Sequence, residues 1–167
     1  MNSLSLACFA TALTNICVGF FVYFSNKEKP LNKVWLILNL STVLWSTGLG
    51  MMIISQSKNM ATIWLRVHYI GAIFTPIAFL HFVYVFLNLE NKSRTFIKII
   101  YAIGAILILF LFAGLLVKSP APKYWFNFYT VQNTYYLLFS VVVALFLVYA
   151  HYLLFAAFLL STGTRRL

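Results

Sequence analysis

Acidic residues are what this chain has least of: Glu28 and Glu90 are its only carboxylate side chains, against 12 Lys and Arg. Neither lies inside a long apolar run, so no carboxylate is available within a membrane to carry a proton or hold Na⁺. That argues against an ion-coupled transporter. No lysine stands in the middle of an apolar run, which removes a retinal Schiff base. There is no nucleophile with a base at useful spacing, no phosphate-binding glycine loop and no HExxH, so catalysis by these residues is not expected. Cysteine is limited to Cys8 and Cys17, both in the first apolar run. On one helix they stand ~13 Å apart along the axis, too far for a disulfide, so they carry no information about redox compartment. No metal and no cofactor are expected. The first run has no basic n-region and no small-x-small cleavage site, so a cleaved signal peptide is not expected, and too few residues precede Cys8 for a lipoprotein signal. An alternating ten-residue strand pattern is missing, which excludes a β-barrel. Internal repeats and an inverted pair of broken helices, the marks of many transporters, are missing too.

What is present is hydrophobic. Of 167 residues, 63% are hydrophobic, 19% aromatic and only 8% charged, with a mean hydropathy of +0.93. Such a composition is that of a polytopic membrane protein, in contact with a lipid bilayer. The net charge of +10 would suggest nucleic acid in a soluble chain. Here the cations stand between apolar runs, with no basic face interleaved with stacking aromatics, so no nucleic-acid partner is expected. Five apolar runs follow one another: 4–24, 34–54, 64–87, 96–117 and 135–160. Each is about the ~20 residues that a spanning helix needs, and the fold class is an all-α transmembrane bundle of five helices.

The cations set an expected orientation. Lys27, Lys29, Lys33, Lys92, Arg94, Lys98, Arg165 and Arg166 fall on one side, and Lys58, Arg66, Lys118 and Lys123 on the other. The bias places the N-terminus outside and the C-terminus in the cytoplasm of a multi-pass plasma-membrane protein. Trp35 and Trp64, at the edges of runs, fit interfacial anchors. The longest connection, Lys118 to Thr134, then lies outside, and its Pro120, Pro122, Tyr124 and Trp125 suggest an ordered cap over the bundle mouth. The glycosylation sequon at Asn91 falls on the cytoplasmic side and the one at Asn39 inside a span, so both are discounted.

Several polar groups lie within the spans. Asn39, Thr42 and Ser46 share a helical face, which fits either interhelical hydrogen bonding or a wall of a ligand cavity. His68 and Thr75 share a face of the third run. Arg66, close to Trp64, either snorkels to the outer interface or joins His68 in an outward-opening cavity for an anionic or polar ligand. Pro76 is expected to kink its helix, as a hinge or as a shape-setting feature. His81 and His151 come out at one depth, ~25 Å from the outer end of their helices, and could face each other to hold a haem or metal. The competing reading is that each bonds locally.

Leu31 to Met52 and Ile63 to Leu87 carry Trp45 and Gly48, then Tyr69-Ile70-Gly71, Pro76 and an aromatic-rich end from His81-Phe82 through Phe86. With the ending Thr162 to Leu167, this resembles the N-terminal seven-transmembrane sensor region of prokaryotic histidine kinases, shared with some diguanylate cyclases. The resemblance implies two further helices and a cytoplasmic output domain beyond this chain, so that the sensor region is incomplete at its C-terminus, and a homodimer formed through the full-length protein. Trp45, Gly48, Gly71 and Pro76 carry over as structural or hinge signature positions, and no binding residue carries over. The expected function is a membrane-embedded input domain that detects an external or membrane-borne signal and relays it to a cytoplasmic kinase or cyclase. The candidate ligand-binding residues are Arg66, His68, Thr75, Asn39, Thr42 and Ser46. The alternatives are a non-enzymatic membrane assembly protein and, behind it, a transporter or channel subunit.

Overall fold

Each apolar run becomes one helix, because a backbone in lipid must satisfy its own hydrogen bonds and a helix does so within one segment. The structure, a computed structural model, describes residues 3–89 and 93–163. Expectations resting on Glu90, Asn91, Lys92 and Thr164 to Leu167 lie outside the described residues. The elements are α1 (Ser3–Ser25), α2 (Pro30–Ile54), α3 (Lys58–Phe86), α4 (Arg94–Phe112), β1 (Val117–Lys123), β2 (Phe126–Gln132) and α5 (Tyr136–Gly163). All five helices are long and apolar enough to cross a membrane.

The helix ends obey local chemistry that hydropathy does not register. Pro30 opens α2, where its missing N–H costs nothing. α3 begins six residues before the apolar run that was expected to define it, because the Ser57 hydroxyl caps it by accepting from the Met60 N–H. α3 closes on Asn88 in a left-handed conformation, with the Leu89 N–H donating 2.8 Å to the Tyr84 carbonyl. α4 stops at Phe112 and not at Val117, for the same reason. Gly114 takes φ +71°, its N–H bonds the Leu111 carbonyl, and the Leu115 N–H reaches back 2.9 Å to the Phe110 carbonyl. This six-to-one closure ends a helix even where the next residues are apolar.

α3 is the axis of the molecule. It packs against α2, α4, α5 and both strands, whereas α1 packs on α2. In its most apolar stretch 56% of the residues are buried, against 11% for α5. Since lipid tails are as apolar as leucine, small residues that admit close backbone approach hold such helices together. At the α2–α3 crossing a Cβ on Gly71 would lie 2.6 Å from the Ser41 carbonyl oxygen, and one on Gly48 would lie 2.6 Å from the His68 Cα. Glycine is required at both places. At the end of the bundle away from the strands, Tyr84 ties three helices: its hydroxyl lies 3.1 Å from that of Tyr149 on α5, and its ring stacks on Phe96 of α4.

The connection expected to be an ordered cap is a two-stranded antiparallel hairpin. Val117 pairs with Gln132, Lys118 with Val131, Ala121 with Tyr129 and Lys123 with Phe126. The register shifts on either side of Ala121, at Pro120 and Pro122, which have no N–H to give to a ladder. The turn is Tyr124-Trp125, with Tyr124 at φ +57°. The hairpin rests on α2 and α3, burying Val117, Pro120 and Phe126. Asn133 closes its base by donating 2.7 Å to the Gly114 carbonyl.

Candidate functional site

α2 and α5 both lean on α3 but make little contact with each other, and the space between them is a cavity of about 350 Å³. That falls at the lower end of the roughly 300–1,000 Å³ typical of small-molecule sites. α3 supplies its floor with His68, Tyr69, Ala72, Thr75 and Pro76. Trp45 forms the α2 wall, and Tyr136, Phe139, Val143 and Leu147 form the α5 wall. These residues recur on one face of each helix, as 68, 72 and 75 do on α3 and 136, 139, 143 and 147 on α5.

Two side chains fix the polar character of the site. The Nδ1 of His68 lies 2.8 Å from the Trp45 carbonyl oxygen. A carbonyl only accepts, so Nδ1 carries the proton and the ring bridges α3 to α2. The Thr75 hydroxyl donates 2.8 Å to the Gly71 carbonyl within its own helix. Around them stands an aromatic wall: Tyr69 lies edge-on to His68, Tyr136 and Phe139, with ring centroids 5.0, 6.5 and 5.9 Å away. The Tyr69 hydroxyl also meets the Thr130 hydroxyl at 2.7 Å, which links the cavity wall to β2. Pro76 sits within an α3 that continues past it, and it has no N–H to offer the Ala72 carbonyl one turn back.

The other residues singled out from the sequence go elsewhere. Arg66 does not share a cavity with His68. It lies in a separate, smaller pocket with Thr62, Leu111 and Lys118, its guanidinium 5.3 Å from the centre of the Phe112 ring. Two residues along a helix turn the side chain by about 200°, which is why the pair parts. The Asn39, Thr42 and Ser46 stripe is not part of the cavity either. A Cβ on Gly19 of α1 would meet the Asn39 Cβ, and Gly50, further along the same face, abuts Phe9 and Cys8. The Asn39 amide and the Thr42 hydroxyl each donate to a carbonyl of their own helix, those of Trp35 and Leu38.

His81 and His151 do not face each other. His81 Nδ1 lies 3.1 Å from the Tyr101 hydroxyl on α4. His151 bonds the Leu147 carbonyl at 2.7 Å and packs on Phe79, two residues from His81 and so on another side of α3. Trp35, expected at an interface, packs its half-buried ring on Phe82, and its Nε1 is buried without a partner among the described residues. The contribution of Tyr136, Phe139, Val143 and Leu147 was not anticipated. Their spacing is visible in the sequence, but α5 is apolar all round, so no face stands out.

A family model described as the N-terminal 7TM region of histidine kinase matches residues 7–167. No curated protein and no solved structure matches the chain. The match takes in all of α2 to α5 and most of α1, including the glycine-locked α2–α3 crossing and the cavity beside it, and the chain belongs to the family of N-terminal 7TM regions of histidine kinase.

Proposed function

We propose that this chain is the membrane-embedded input region of a signal-transducing histidine kinase, lying in the plasma membrane with its hairpin outside. It detects an external or membrane-borne signal and relays it to a cytoplasmic output domain. Family membership supports the class of protein. The observation that carries the mechanism is that Pro76, the one interruption of the α3 backbone ladder, lies in the wall of the cavity between α2 and α5. A signal acts only through different affinities for two arrangements of the bundle. An occupant of this cavity touches three helices at once, at the point where the central one is weakest.

The test is Pro76→Ala in the protein carrying its output domain, with membrane insertion and histidine phosphorylation measured on the same preparations. Restoring the backbone bond stiffens α3, so phosphorylation is expected to shift several-fold while insertion stays constant. A well-inserted variant with unchanged output would remove the hinge and leave a contact-only assembly role in its place.

A further inference from the structure

The chemistry of the cavity goes further than its existence. Building on the input-region reading above, we propose that it takes a small uncharged molecule with an apolar body that enters from the bilayer. That molecule donates one hydrogen bond, from an O–H or N–H, to Nε2 of His68.

Size and polarity come first. The cavity of about 350 Å³ suits a body of one or two rings. Its lining holds no Lys, Arg, Asp or Glu, so it offers a charged group no partner in a setting where unpaired charge is costly. Arg66, the cation that would have favoured an anion, belongs to another pocket.

The direction of the hydrogen bond follows from what is already occupied. His68 is only 7% exposed. Its Nδ1 proton goes to the Trp45 carbonyl, so in the neutral ring Nε2 is left as an acceptor, and no described residue donates to it. His68 lines the cavity, so an occupant that donates to this open acceptor completes the hydrogen bonding of the ring. Thr75 has the same bias, since its proton is spent on the Gly71 carbonyl and only lone pairs remain. Pro76, on the same face, withholds the N–H that would normally reach the Ala72 carbonyl one turn back. The acceptors of His68 and Thr75, an aromatic wall and the lack of charge in the lining select a neutral donor such as a phenol or an indole over a carboxylate or an amine cation.

The experiment uses the protein in lipid nanodiscs with ¹⁵N-labelled histidine, of which there are three. The probes are 4-ethylphenol and 4-ethyltoluene, alike in shape but differing in the donor, with partition into empty nanodiscs subtracted. The phenol is expected to move the His68 Nε2 resonance saturably and to bind roughly 3- to 10-fold more tightly than the hydrocarbon, as one net hydrogen bond allows. His68→Asn, whose amide can still donate to the Trp45 carbonyl, is expected to erase that preference. Equal affinities, or an Nε2 resonance that neither probe moves, would overturn the proposal. So would an Nε2 already hydrogen-bonded before any probe is added, since a donor from another helix or a second copy would then fill the site. Spin labels on Leu40→Cys and Leu145→Cys, with Cys8 and Cys17 replaced, separate this proposal from the reading it rests on. Phenol binding without a change in label spacing sustains the ligand class and removes the cavity from signalling.

Discussion

Gly71 and Gly114 are glycine for unrelated reasons, and the difference can be measured. At Gly71 the backbone is an ordinary helix, and the constraint is space: a methyl group would press into the Ser41–Trp45 backbone of α2. At Gly114 nothing lies within 4 Å of where a Cβ would stand, and the constraint is the φ of +71°. Gly114→Ala is therefore expected to cost about 1–2 kcal/mol, the ordinary penalty of a left-handed residue. Gly71→Ala must separate two helices and should cost about 1–3 kcal/mol or more, because overpacking propagates to every contact along the crossing. Reversible unfolding in mixed micelles measures both. A Gly71→Ala variant no less stable than Gly114→Ala would mean that α2 yields freely to a methyl at the crossing. Only one of the two glycines was legible beforehand. Gly71 stood in a recognisable pattern, whereas Gly114 was hidden because Leu115, Leu116 and Val117 keep the run apolar past the point where the helix ends.

The hairpin and α5 show where reading by element succeeds and fails. The 118–134 connection was legible as ordered, but its two prolines argued against a strand and Tyr-Trp is not a usual turn pair. What makes it a hairpin is tertiary: burial of Pro120 and Phe126 on the helices, and the bond from Thr130 to Tyr69. The His68–Thr75 face was legible because polar residues mark it against an apolar background. α5 offers no such contrast, so its half of the cavity was not. The Tyr69–Thr130 bond is the only side-chain hydrogen bond seen between the hairpin and the cavity wall among the described residues. Tyr69→Phe and Thr130→Val are each expected to lower stability by about 0.5–1.5 kcal/mol. The double variant should cost about as much as either alone, since both remove one bond. Amide exchange across β2 should quicken equally in all three. Additive losses would show that the hairpin sits on the bundle by apolar contact alone, with no polar link to the site.

At the scale of the whole molecule, the question is which way the bundle faces. Lys27, Lys29, Lys33, Arg94 and Lys98 gather at the end away from the hairpin, while Lys58, Arg66, Lys118 and Lys123 lie at the hairpin end. The cation-rich side of a polytopic protein tends to stay in the cytoplasm, and on that ground we propose the hairpin outside. The difference is small enough that two of the hairpin-side cations matter. Arg66 rests on Phe112 and Lys123 on Tyr124, positions that keep each charge beside an aromatic face. Trp125 is 84% exposed at the hairpin tip, and Glu28 is exposed between α1 and α2 at the other end, so both report on sidedness without removing a cation. With Cys8 and Cys17 replaced, Trp125→Cys in intact cells is expected to react with a membrane-impermeant maleimide, and Glu28→Cys only after the cells are opened. The reverse pattern would put the hairpin in the cytoplasm and the far end outside. An external signal would then have to reach the cavity past the Tyr84 cluster that ties α3, α4 and α5 together, and the hairpin's link to Tyr69 would have to serve output and not input.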